Sequence, residues 1–157
     1  MKIIIGADPL GYALKETVKK YLLSADYNVT DITASGPAAY YQVGADVGRQ
    51  ISDGAYDRGI IFCGTGMGVN IVANKFPGVY CGLCESPMTA RLCRIINNCN
   101  VLALGGLLNG SYKAVEMVKV FLNTEFAEGF SEASPEFLRD ACAQVALVEQ
   151  SLASKSR

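Results

Sequence analysis

Five short β-rich runs recur along the chain, at residues 2–6, 28–32, 58–62, 79–83 and 100–104, and helical patterns lie between them. In the runs Ile3-Ile4-Ile5, Gly59-Ile60-Ile61-Phe62 and Val101-Leu102-Ala103-Leu104 the apolar residues are consecutive rather than alternating. A strand of that kind has no solvent face and belongs in a parallel sheet covered by helices on both sides. The intervening helices carry one apolar stripe each: Leu14, Val18, Tyr21 and Leu22 in the first, and Val43, Val47 and Ile51 in the second. Ile71 to Lys75, Thr89 to Ile96 and Tyr112 to Asn123 follow as the third, fourth and fifth. Short crossovers between parallel strands make the βαβ unit the default. The expected class is therefore α/β: a doubly wound, five-stranded parallel sheet in three αβα layers, with one further helix at the C-terminus. In such sheets ligands bind beyond the carboxyl ends of the strands, where Asp8, Cys63, Glu85 and Gly105-Gly106 emerge.

One strand-to-helix junction stands out chemically. Cys63-Gly64-Thr65-Gly66-Met67-Gly68 follows the run ending at Phe62 and precedes the helix-like stretch Val69 to Lys75. A strand feeding a helix through glycines aims backbone N–H groups and the positive end of the helix dipole at one spot, which favours anions, developing oxyanions and the thiolate of a cysteine placed there. Glycines also let a small polar ligand approach the backbone itself. A nucleotide-type phosphate loop would require Lys-Ser/Thr after the glycines, where Val69-Asn70 stands. A dinucleotide fingerprint would place the glycines after the first strand and an acidic residue at the next strand end. Proton transfer by Cys63 beside a carbonyl, with the amides of Gly64 to Gly68 stabilising an enediolate, uses every feature of the turn. The competing structural reading is that the glycines serve close helix–strand packing and Cys63 merely ends a strand.

Composition narrows the partners. The 157 residues are half apolar and suit a single domain. With 14 Lys plus Arg against 15 Asp plus Glu and no run of like charge, nothing presents an electrostatic surface for nucleic acid or anionic lipid, so a small molecule is the expected partner. The opening Met1-Lys2-Ile3-Ile4-Ile5-Gly6-Ala7-Asp8 is too short an apolar run for a signal peptide or a membrane span and reads as a first buried strand, which points to the cytoplasm. Six cysteines in that setting are expected as reduced thiols. Cys81, Cys84, Cys93 and Cys99 lack a partner histidine and a second close pair, so they read as small hydrophobes rather than a zinc site. The absence of histidine excludes Ser-His-Asp and Cys-His catalytic pairs.

The tail begins a new element. After Phe126 and Ala127-Glu128-Gly129-Phe130-Ser131, Ser134 is placed to cap a helix from about Glu136 to Leu152 with Pro135 at its first position. Phe137, Leu138, Ala141, Val145 and Val148 form its apolar stripe, and packing on a second subunit would bury it. The expected division is a core over residues 1–130 and a C-terminal helix over 131–157.

The segment Asp57 to Gly68, followed by Ala73-Asn74-Lys75-Phe76-Pro77-Gly78, resembles the signature of the ribose-5-phosphate isomerase B and galactose-6-phosphate isomerase family, whose fold is Rossmann-like. Gly6-Ala7-Asp8 with Gly11 and Leu14-Lys15, Asn97 to Gly106, and Thr124-Glu125-Phe126 are similar to further family segments in the same order. The resemblance covers about residues 1–130. It implies an aldose–ketose isomerase acting on a sugar phosphate through a cis-enediolate, with no metal and no organic cofactor. It also implies a homodimer or tetramer with sites between subunits, in some members completed by a paralogous subunit. Carried onto this chain, Cys63 is the base, and Thr65 and Asp8 position or ionise hydroxyls. Gly64, Gly66, Met67 and Gly68 hold the enediolate oxygens, and Tyr40 and Asn97 lie near the sugar. The glutamate that some members use later in the turn is replaced by Val69. Pro9, Ile96 and Phe130-Ser131 stand where ribose-type members carry a phosphate-binding histidine, a ring-opening histidine and a basic Arg-His pair. Those departures imply a short or open-chain sugar phosphate, a composite site shared with a paralogue, or a non-catalytic sugar-binding subunit. Arg94, Arg139, Lys113 and Lys75 are the cations that could replace the lost ones.

Overall fold

The computed structural model describes residues 1–155, with side chains through Leu152. Five parallel strands, β1 (Lys2–Ala7), β2 (Asn28–Asp31), β3 (Arg58–Cys63), β4 (Cys81–Leu83) and β5 (Val101–Gly105), form one sheet in the order β2-β1-β3-β5-β4. Successive residues of each central strand serve opposite faces, which is why none beyond the opening Lys2 of β1 and Arg58 of β3 is charged. Ile3, Ile5, Ile60, Phe62, Leu102 and Leu104 enter one core with helices α1 (Tyr12–Ser24), α4 (Pro87–Asn97) and α5 (Ser111–Asn123). Ile4, Ile61, Cys63, Val101 and Ala103 enter the other with α2 (Tyr40–Ser52) and α3 (Met67–Ala73). The doubly wound three-layer architecture expected from the sequence is thus the one observed.

Most boundaries shift by a residue or two, and α3 starts at Met67, directly from the glycine turn, and ends at Ala73 rather than running to Lys75. Two further differences have local reasons. β4 covers only residues 81–83 because side chains take over part of its ladder. Tyr80 N–H donates to Asn100 Oδ1 at 2.9 Å, and Asn74 Oδ1 accepts from Cys81 N–H at 2.8 Å. Helix α4 starts at Pro87, two residues before the expected Thr89. Ser86 Oγ accepts the Thr89 N–H at 3.1 Å, and Pro87, which lacks an N–H, fits the first turn.

Helix α6 (Pro135–Lys155) begins as expected, with Phe137 N–H donating to Ser134 Oγ at 3.2 Å. Only Leu138 of its stripe is buried, in a small cluster with Ile95 and Ala127; Phe137, Val145 and Val148 stay exposed. Among the described residues no helix is long and apolar enough to cross a membrane.

Candidate active site at the carboxyl end of the sheet

The loops after β1, β3 and β5 meet backbone to backbone. Asp8 N–H donates to Phe62 O (3.0 Å), Gly106 N–H to Cys63 O (2.8 Å) and Leu107 N–H to Gly64 O (2.9 Å). This closeness needs glycine: a Cβ on Gly11 would lie 2.6 Å from the Phe62 carbonyl carbon, and one on Gly105 would lie 2.7 Å from Thr65 backbone atoms. Cys63, the last residue of the middle strand, is 5 % exposed and faces the α2/α3 side. Its Sγ accepts the Gly66 N–H at 3.1 Å. Gly66 makes that bond from a left-handed φ of +78°, and a Cβ there would come within 3.0 Å of the Leu104 carbonyl carbon. Gly66→Ala is therefore expected to cost about 1–3 kcal/mol, read by chemical denaturation, and to break the contact to Cys63. A variant as stable as the parent would show that this turn relaxes freely.

Asp8, 9 % exposed, directs Oδ1 at the N–H groups of Leu10 and Gly11, both at 2.9 Å, so one carboxylate oxygen is held by its own loop. Thr65 is exposed, and its Oγ1 accepts the Met67 N–H at 3.3 Å. The Met67 amide thus serves Thr65, and the half-exposed Met67 side chain sits on the rim. Tyr40, the first residue of α2, is brought to the turn by packing: a Cβ on Gly68 would lie 2.7 Å from its ring. Gly64 is buried beneath Leu10 and Leu107. Asp8, Cys63, Gly64, Thr65, Gly66, Met67, Gly68 and Tyr40 therefore form one cluster.

Asn97 does not join them. It is exposed at the last position of α4, a helix that starts beyond the carboxyl end of β4 and runs about 16 Å back toward the strand starts. Ile96 and Asn97 line an apolar cavity of about 210 Å³ with Tyr80, Phe137, Leu138 and Val145. That cavity lies at the opposite end of the sheet from the Cys63 turn.

Of the candidate cations, Arg94 is not on the surface. It is 2 % exposed, with Nη1 donating to Asn98 Oδ1 (2.9 Å) and Cys99 O (2.7 Å). Among the described residues no cluster of three or more Cys, Asp and Glu side chains is arranged to hold a metal ion.

Sequence reasoning missed the polar group beneath the β1 loop. Lys15 is fully buried, and its Nζ lies 2.7 Å from Asp31 Oδ2. Asp31 Oδ1 accepts from Thr33 N–H and Oγ1–H, and Thr33 Oγ1 accepts the Ala7 N–H next to Asp8. A lysine within an amphipathic helix carries no sequence signal of burial; the acidic end of β2 was the available hint.

Residues 3–136 match the family described as Ribose/Galactose Isomerase. The chain is 40 % identical, over 99 % of both sequences, to the 4-deoxy-4-sulfo-D-erythrose isomerase of Clostridium sp. (strain MSTE9). It is 37 % identical to the D-erythrulose-4-phosphate isomerase of Pectobacterium atrosepticum, over 87 % of this chain and 91 % of that one. The ribose-5-phosphate isomerase B structure from Clostridium thermocellum superimposes with a TM-score of 0.88 at 34 % identity, covering 97 % of this chain and 99 % of that one. The parallel sheet, the glycine-packed loops and these likenesses agree, and the chain belongs to the ribose/galactose isomerase family, as an aldose–ketose isomerase.

Proposed function

We propose that the chain interconverts a four-carbon aldose and its ketose, each carrying a terminal anionic group, through a cis-enediolate with Cys63 as the base. The observation that carries this reading is the Cys63 Sγ beneath the glycine turn, accepting the Gly66 amide at 3.1 Å in a chain without histidine. The thiolate takes the proton from the carbon beside the carbonyl, and the electron pair moves onto the carbonyl oxygen. The thiol then returns the proton to the neighbouring carbon, so atoms balance without a co-reactant. Thr65 and the outer oxygen of Asp8 move the hydroxyl proton between the two oxygens. Gly66 N–H supports the base, which leaves Gly64 and Gly68 for the enediolate oxygens.

Four carbons follow from ring chemistry. A tetrose closes to a furanose only through its oxygen at carbon 4. A phosphate on that oxygen, or a sulfonate on carbon 4 itself, keeps the sugar open. Such a substrate needs no ring-opening acid, which fits a chain with no histidine and with Ile96 and Pro9 at the positions named above. The names of two relatives, a sulfo-erythrose isomerase and an erythrulose-4-phosphate isomerase, support the same size class.

The site is completed by a second copy of the chain, whose Asn97 reaches the Cys63 turn of its neighbour. Supporting this are the position of Asn97 at the far end of its own sheet and the exposed Leu10, Leu107, Leu108, Met67 and Ile71 around the turn. The exposed stripe on α6 adds a second apolar surface, and residues 131–157 are its carrier on the core of residues 1–130.

The purified protein is expected to isomerise 4-deoxy-4-sulfo-erythrose or erythrose 4-phosphate with kcat/KM on the order of 10²-fold above that for ribose 5-phosphate. A preference for ribose 5-phosphate would overturn the four-carbon assignment.

A further inference from the structure

The end of α4 brings together thiols that isomerisation does not use. Asn98 adopts a left-handed φ of +50°; its N–H donates to Arg94 O at 3.1 Å, and the Cys99 N–H donates to Cys93 O at 3.0 Å. The first bond is that of the αL helix ending, and the second reaches back across the turn, so that the residue after the left-handed position is tied to the residue six places before it, and both residues here are cysteines. Their sulfurs share the space above Gly82 of β4, where a Cβ would lie 3.1 Å from Cys93 Sγ and 3.4 Å from Cys99 Sγ. Both thiols are free, Cys99 buried and Cys93 half-buried.

Beside them lies a buried charge. Arg94 is 2 % exposed and forms no carboxylate ion pair among the described residues. Its Nη1 is held by Asn98 Oδ1 and the Cys99 carbonyl, and its buried Nε has no partner. A buried cation that touches no carboxylate, with Glu125 acting on it only at a distance, favours an anion next to it, and the thiol of Cys99 is an ionisable group within that neighbourhood.

We propose that Cys93 and Cys99 form a peroxide-sensitive pair that closes to a disulfide across the end of α4. The Cys99 thiolate attacks one oxygen of hydrogen peroxide, the O–O bond breaks, and the departing hydroxide takes up a proton to become water. Cys99 is left as a sulfenic acid. The Cys93 sulfur then attacks the Cys99 sulfur, the S–OH bond breaks, and the Cys93 proton leaves with that hydroxide as a second water. Two thiols are oxidised by two electrons, and one peroxide is reduced. The Cys93 proton is held tightly, by Cys84 first and by Cys99 next, and hydrogen bonding from Cys93 lowers the pKa of both of those thiols; Arg94 acts in the same direction on Cys99. The same proton is otherwise donated to Ala90 O at 3.2 Å. The closed ring contains Ile96 and Asn97, so the oxidised chain holds its proposed substrate-contacting asparagine in a tightened turn; this consequence rests on the function proposed above.

The test is peptide mapping of the full chain after hydrogen peroxide and alkylation of remaining thiols. Trypsin releases Leu92-Cys93-Arg94 and the segment 95–113, whose single cysteine is Cys99. The expected product is these two peptides joined and lighter by two hydrogens, reverting with dithiothreitol. In Cys93→Ser the sulfenic acid on Cys99 is expected to be captured by dimedone instead. Both thiols recovered alkylated after a dose that oxidises the half-buried Cys142, or Cys93 joined to Cys84, would overturn the proposal. The mass readout is independent of turnover, so it separates this inference from the isomerase assignment. A change in KM on oxidation, reversed by reductant, reads the link to Asn97.

Discussion

Replacing Cys63 by alanine is expected to lower kcat by about 10²–10⁴-fold with little change in thermal stability, because the substitution removes the proposed base at the turn. The fold tolerates it: Cys63 lies at a strand end, and its neighbours Phe62 and Gly64 are held by backbone bonds that do not involve the sulfur. Initial-rate kinetics on a four-carbon substrate beside a melting curve checks both halves. Retention of activity within tenfold would remove Cys63 from the chemistry. The same variant tests the shared site. Asn97→Ala should also be weak, yet refolding the two variants together should restore about a quarter of the parent activity, since in a two-fold dimer half the molecules pair unlike chains and one of their two sites then carries neither lesion. No recovery on mixing would place Asn97 outside the neighbour's site.

Asp31→Asn is expected to remove on the order of 3 kcal/mol of folding stability at pH 7, roughly 6–12 °C in melting temperature. Its Oδ2 receives both Lys15 Nζ and Lys19 Nζ at 2.7 Å, and the Lys15 side chain is fully buried, 4.2 Å from the centre of the Tyr12 ring. An amide cannot balance that cation; Glu16, also 2.7 Å from Nζ but 36 % exposed, remains as a weaker partner. The effect has a pH signature. Burial alone would raise the Asp31 carboxyl, but hydrogen bonds from Lys15, Lys19 and the Thr33 N–H outweigh it and leave the pKa below the ordinary aspartate value. A carboxyl depressed in the folded state contributes stability above its unfolded pKa of about 4 and loses it as the pH falls through the lower folded value. The gap between parent and variant should therefore narrow below pH ~4, as urea titrations at several pH values would show. A gap of equal size at pH 7 and pH 3 would mean that the loss is steric, not electrostatic.

The sheet was legible because its central strands are buried on both faces and so carry unbroken apolar runs. The Cys63 turn was legible because glycines at a strand–helix junction have few other uses. What escaped was whatever depends on partners distant in sequence. Lys15 and Arg94 look like solvated cations on helix surfaces, and only the packing of α1 on β2 and of α4 on α5 buries them. The shortened β4 followed from side chains of Asn74 and Asn100 acting as backbone, which no periodicity records. Tyr40 was placed near the turn by resemblance, and its contact with Gly68 supplies the physical reason. Asn97 was grouped with Cys63 on the same grounds, and the direction of α4 puts them at opposite ends of one chain.

The glycine contacts beneath the turn have a consequence for how new selectivities arise. Because Gly11, Gly105 and Gly106 press peptide planes against one another, the floor of the pocket is main chain, and nearly any side chain placed there collides with it. Mutation has almost nothing to adjust at that floor, so the proton-transfer step is insulated from drift. In the proposed site, variation in sugar length and in the charged end group then falls to the walls, at positions such as Pro9 and at the Asn97 end of the proposed second copy. Laboratory evolution toward a different sugar should accordingly collect its changes there and leave the floor untouched.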